Sequence, residues 1–231
     1  MRIVPEFGSM QIVLLGQFNP AIFTPAWFAR NKILREGLDE SAQVQVIHPQ
    51  IAAFTADWLH LQVTNEQFRA ETQQAPYARL CELVVRTFSE CLHHTPLTAF
   101  GINRNVHFLV SDPEARASME KILVPPEPWS PLQEVLGLDS GHGGMAAVQV
   151  SHRQPEGRRE GGQINVTVQP SVLVGEGRTG VFVGINDHFV ADQPQDSTPH
   201  LMSVLAAEFG PSRSRSDDII DHIMSLTESE G

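Results

Sequence analysis

Positive charge is scarce in this sequence. Only two of 231 residues are lysine, Lys32 and Lys121, and Lys plus Arg total 16 against 27 Asp and Glu, for a formal net charge of -11. Binding nucleic acid without regard to its sequence depends on clustered cations, so the composition argues against that function. Cysteine is also scarce: two residues exclude a disulfide-stapled secreted scaffold. Cys81 and Cys91 fall on one predicted helix, about 15 Å apart at about 1.5 Å per residue. A disulfide needs Cα atoms within about 7 Å, so the two are read as buried free thiols. Long apolar runs are missing as well. No stretch approaches the roughly 20 apolar residues of a membrane span, and Ile12–Leu15 is too short for the apolar region of a signal peptide. The expectation is a bacterial, cytoplasmic protein with no membrane partner.

The chain has ample material for a core, with 41% hydrophobic and 19% charged residues. Met1–Ser9 (MRIVPEFGS) reads as an expression-vector leader, with Met10 as a restart. Gln11–Leu15 and Val44–Ile47 are strand candidates, and Ala26–Leu34 is a short helix opening at Pro25. Trp58–Thr64 alternates, with Leu59, Leu61 and Val63 on one face and Trp58, His60, Gln62 and Thr64 on the other. Pro76–Leu92 carries the helical stripe Tyr77, Leu80, Cys81, Val84, Phe88, Cys91, Leu92. A strand over Thr98–Val110 follows, then a helix capped at Ser111-Asp112-Pro113-Glu114. Four prolines between Pro125 and Pro131, with Gly137 to Gly144, form a connector. After it, Met145–Val150, Gln163–Gln169 and Gly180–Val190 read as a three-stranded meander. Two helices close the chain, the first stopping at Gly210-Pro211 and the second capped by Ser216.

The expected fold is therefore α+β, an antiparallel β-sheet packed by helices, in two related halves. The boundaries are 1–9 for the leader, 10–124 for the N-terminal half, 125–144 for the Pro/Gly-rich connector, and 145–231 for the meander plus two helices. One echo suggests the relation: Gly101-Ile102-Asn103 precedes His107-Phe108, and Gly184-Ile185-Asn186 precedes His188-Phe189.

Motifs that would name a chemistry are thin. Gly175, Gly177 and Gly180 match G-x-G-x-x-G, but a strand follows where a dinucleotide site needs a helix, so the glycines read as a hairpin turn and no cofactor is expected. The ten histidines form no zinc-ligand spacing, and no metal is expected. No catalytic set emerges. The alternative is a small hydrolase drawing on Asp139, Ser140 and His142 in the connector, or on Asp187 and His188; it needs those groups to converge. Polar residues inside apolar strands mark a bulge, a strand end or a site. On that ground Asn103, Arg104, Asn105 and His107, with Asn186, Asp187 and His188, are the candidate ligand or partner site.

His94–Asn103 (HTPLTAFGIN), continued by Val106-His107-Phe108, resembles a sporadically distributed family of bacterial proteins of about this length. So does Gly162–Val166 (GQINV) leading to Gly184–Phe189 (GINDHF). The resemblance spans much of residues 10–228 and carries no established activity, so it transfers no functional residues. It implies a prokaryotic setting linked to mobile elements or phage defence. The functional expectation is a non-catalytic protein-interaction or assembly subunit, a homodimer or part of a larger complex. The alternatives are the hydrolase and a small-ligand-binding module. Acidity gathers at one end: Met10–Asn186 holds 13 basic and 17 acidic residues, Asp187–Gly231 only 2 basic and 9 acidic.

Overall fold

A computed structural model describes residues 4–35, 37–110, 112–137, 144–153, 161–175, 179–191 and 198–227. The first half contains β1 (Phe7–Gly16), a 3-10 turn (Pro20–Ile22), α1 (Pro25–Arg30), β2 (Gln43–His48), β3 (Ile51–Ala56), β4 (Leu59–Thr64), β5 (Gln67–Thr72) and α2 (Ala78–Arg86). A π-turn over Thr87–Cys91 extends α2. The second half contains β6 (Leu97–Leu109), α3 (Pro113–Leu123), α4 (Ser130–Leu136), β7 (Val148–Arg153), β8 (Gly161–Pro170), β9 (Gly180–Val190) and α5 (Thr198–Ser225). The fold is α+β, with one antiparallel sheet of nine strands in the order β2-β3-β4-β5-β1-β6-β9-β8-β7.

The order has an internal logic. Each half runs strand, helix, meander, helix, and in each the last meander strand returns to pair with the first strand: β5 with β1, and β9 with β6. The halves join through β1 and β6, which pair from Phe7↔His107 to Leu15↔Ala99. Phe7 to Ser9, read from sequence as leader, thus continue β1. The Gly-Ile-Asn echo has a different meaning. Both copies lie in the second half, on adjacent strands, with Asn103 directly opposite Asn186.

Side chains sort strictly by face, because strand residues alternate with period two. Met10, Ile12 and Leu14 of β1, Leu59, Leu61 and Val63 of β4, and Val181, Val183 and Ile185 of β9 all lie on the face that the helices cover. The first-half core is aromatic: Phe18, Phe23, Phe28, Phe54, Phe68 and Phe88 pack together, with Phe68 and Phe88 meeting edge to face at 5.0 Å. A second core gathers Val106, Phe108, Met119, Ile164 and Val183 beneath the end of α5 at Ile220, Ile223 and Met224.

β3 and β5 were not among the strands read from sequence. Their covered faces hold Ala52, Phe54 and Ala56, and Phe68, Ala70 and Thr72. Alanine and glutamate are poor strand formers, and neighbouring strands on both sides override that preference. At the C-terminus, α5 is one helix of 28 residues with Pro211 inside it, where the sequence pattern indicated two. The buried stripe explains the difference. Leu205, Phe209, Ser212, Ser216 and Ile220 keep helical spacing straight through the break, while Pro211 itself is exposed. The carbonyl it deprives of a partner therefore meets water. The β8–β9 connection matches the hairpin reading, with Gly175 at φ +68° and β9 directly after it. No described helix is long and apolar enough to cross a membrane.

Candidate functional site

Among the described residues, the face opposite the helices carries no core cluster. Across its middle runs one row of polar side chains, one from each strand, in direct register: Ser151, Asn165, Asn186, Asn103, Gln11, Glu71, His60, Thr55 and Gln43. Ser151 Oγ donates to Asn165 Oδ1 at 2.7 Å. Asn165 Nδ2 donates to Asn186 Oδ1 at 3.0 Å, and Asn186 Nδ2 donates to Asn103 Oδ1. Asn103 Nδ2 donates to Gln11 Oε1 at 3.1 Å, and Gln11 Nε2 to Glu71 Oε2 at 3.1 Å. Every donor in this series points towards β5, so the amide dipoles align and end on a carboxylate. Aligned hydrogen bonds polarise one another.

Glu71 is a suitable terminus. Burial alone pushes its carboxyl up, but hydrogen bonds from Arg69, Ser9 and Gln11, and the charge of Arg69, more than offset this and hold it below its ordinary value. Arg69 Nη2 lies 2.7 Å from Glu71 Oε2. On the far side the row continues through His60 Nδ1, 3.0 Å from Thr55 Oγ1, and Gln45 Nε2 donates to Thr55 at 3.1 Å. Gln45 replaces the register residue Gln43 there because β2 bulges between Val44 and Val46.

The local sequence makes room for the row. A Cβ on Gly101 would stand 2.9 Å from Asn186 Nδ2, closer than such contacts allow. Gly101 shares its face with Asn103, two residues on, so the glycine of the Gly-Ile-Asn motif clears space for the amide that crosses from β9. Gln11 and Asn103, at the centre, are buried by their neighbours at 7% and 8% exposure.

The sheet divides the candidate site residues between its two sides. Asn103, Asn105, His107, Asn186 and His188 stand on the open face. Arg104 and Asp187 stand on the covered face, under α5. His107 Nδ1 is 2.8 Å from Ser171 Oγ, its ring lies 4.9 Å from Phe182, and burial lowers its pKa from 6.5. Asp187 is 1% exposed and accepts from Arg215 Nη2 at 2.9 Å. Arg215 also reaches Glu208 at 3.2 Å. Arg104 pairs with Asp217 at 3.2 Å, donates to the Ser9 carbonyl at 3.3 Å, and lies 5.4 Å over the Tyr77 ring. These ion pairs fill the seam between the two cores.

Asp187 and His188 therefore project from opposite sides of the sheet and do not converge. Asp139, Ser140 and His142 lie outside the described residues. Sequence reasoning missed Ser151, Asn165, Gln11, Glu71, His60, Thr55 and Gln43 as members of the row, and Arg69 beside Glu71. The usable signal was the polar alternation of the strands, which marks a face without revealing which strand lies beside which.

Of two clefts, the first takes in residues of the row and the second lies apart from it. The first, of about 410 Å³, opens at the β3–β4 turn, lined by Thr55, Trp58, His60, Glu71 and Gln74, with the Arg79 guanidinium 4.4 Å over the Trp58 ring. The second, of about 330 Å³, lies beside Asn19, Cys91 and His94. Burial pushes the Cys81 thiol up to about 11. Burial and the neighbouring Glu90 charge also raise Cys91, so neither sulfur is an activated nucleophile. No family model matches the chain, and no curated protein matches it.

Proposed function

We propose that the chain is a non-catalytic interaction or assembly subunit that meets a protein partner, or a second copy of itself, through the open face of its sheet. The observation that carries this reading is the polar row running across all nine strands. Asn165, Asn186, Asn103 and Gln11 each use one N–H and one acceptor on their neighbours, and the half-buried Asn165 and Asn186 keep a second of each for a partner. The row fixes these groups in advance, which lowers the entropy lost on binding. A face built mainly from neutral amides and hydroxyls suits a protein partner better than a phosphate backbone. A cytoplasmic, bacterial setting tied to mobile elements or phage defence belongs to the same proposal.

The test is recovery from the native host with wild-type chain and with Gln62→Trp, whose ring would stand on the open face opposite Arg69. The wild type is expected to retain a stoichiometric protein, or itself, and the variant to lose it. Equal recovery by both would overturn the reading. A second reading, a small-ligand module, is favoured by the cleft between Trp58 and Glu71. It expects a metabolite that raises the melting temperature of wild type but not of Trp58→Ala.

A further inference from the structure

The two edges of the sheet are built differently. β2 is interrupted by a bulge between Val44 and Val46 and packs against the 3-10 turn at Pro20–Ile22. Bulges and covering segments are devices that prevent edge-to-edge pairing. β7 has neither. It pairs with β8 over six consecutive positions, from Val148↔Val168 to Arg153↔Gln163, without a shift. Its sequence, Val148-Gln149-Val150-Ser151-His152-Arg153, has no proline, no lysine and no acidic residue. Among the described residues nothing pairs with its outer edge, and Val150, on the helix-bearing side, is 44% exposed.

We infer that β7 is a self-association edge, at which two copies of this chain join antiparallel about a two-fold axis at Val150. The occupant follows from the strand itself. A second β7 supplies the missing backbone partners and sets the two Val150 side chains opposite each other on the helix-bearing side. Antiparallel pairing sets each Arg153 opposite the start of the other strand, so the two cations stay apart. With no carboxylate on either strand, the repulsion between two acidic chains acts only over longer distances, where salt screens it beyond about 8 Å. The polar row ends at Ser151, so the junction makes one open face from two. The inference rests on the assembly reading above and names where self-association occurs.

The experiment uses the full chain, with light scattering and sedimentation across about 1–100 μM, and hydrogen exchange on the same samples. The wild type is expected at twice the chain mass, with β7 amide protection rising with concentration. Val150→Lys and Gln149→Lys, both at exposed positions outside the row, are expected to weaken association at least about tenfold. Val44→Lys on the opposite edge is expected to leave it unchanged. A single-chain mass throughout, or a dimer that persists in both β7 variants with no change in β7 exchange, overturns the inference. The exchange readout needs no substitution, so a variant that fails to fold does not remove the test. If Gln62→Trp dissociates the dimer while the β7 variants do not, the edge fails and the open-face reading stands. If the β7 variants dissociate it while Gln62→Trp keeps every partner, the open-face reading fails and the edge stands.

Discussion

Asn103 holds two neighbours at once, accepting from Asn186 and donating to Gln11. Asn103→Ala leaves a buried acceptor and a half-buried donor without partners. The expected cost is about 1–3 kcal/mol in urea unfolding, where an exposed Asn→Ala change costs little. At Glu71 the prediction concerns pH. Its carboxyl lies below the ordinary 4.5 in the folded chain, so the unfolded chain binds the proton more readily. The stabilisation is complete above that value and is lost as pH falls through the folded pKa. Wild type should therefore exceed Glu71→Gln in stability near neutrality and lose that advantage in acid, measured by urea titrations at a series of pH values. The polar character of Asn103, Asn186 and His188 was legible as residues out of place in apolar strands. Arg104 and Asp187 read as part of the same cluster, and the pleat sends them to the other side.

At the scale of elements, α5 shows packing overruling local preference. Glycine and proline in sequence read as a helix end, yet the stripe from Leu201 to Met224 stays buried across them. Gly210 has open space around its missing Cβ. Gly210→Ala should add about 0.5–1 kcal/mol, and Pro211→Ala up to about 3 kcal/mol by restoring a backbone hydrogen bond. Both are checked as rises in the thermal midpoint. A fall in either case would show that the break is needed to seat the Arg213–Asp218 segment. The strands tell the complementary story. β4, β8 and β9 were legible because branched and large apolar residues alternate with polar ones, and β1 as a short apolar run. β3 and β5 were not, because alanine supplies little signal and their stability comes from strands far away in sequence.

At the scale of the molecule, the two aromatic and aliphatic cores are separated by an ionic seam rather than merged. Asp187 is enclosed there with Arg215, which is itself 37% exposed. Asp187→Ala should cost about 2–3 kcal/mol, below the full value for a buried pair because water screens the arginine. Replacing both partners with apolar residues, Asp187→Leu with Arg215→Met, should recover most of that loss. Equilibrium unfolding of the three chains checks this, and a double variant as weak as the single one would contradict it. The seam also explains the run Ser212–Asp218 in the middle of an otherwise apolar helix: its charges answer Arg104 and Asp187 on the sheet.

The amino-acid sequence by itself determined the class of structure: an α+β chain with a three-stranded meander after the connector, free thiols, and strands with one apolar and one polar side. These follow from periodicity and composition, which are local. Only the tertiary structure decided that all strands form a single sheet, that β1 and β6 join the halves, and that nine separate polar residues line up as one row. Antiparallel register sets residues from distant segments opposite one another, and no local pattern carries that information.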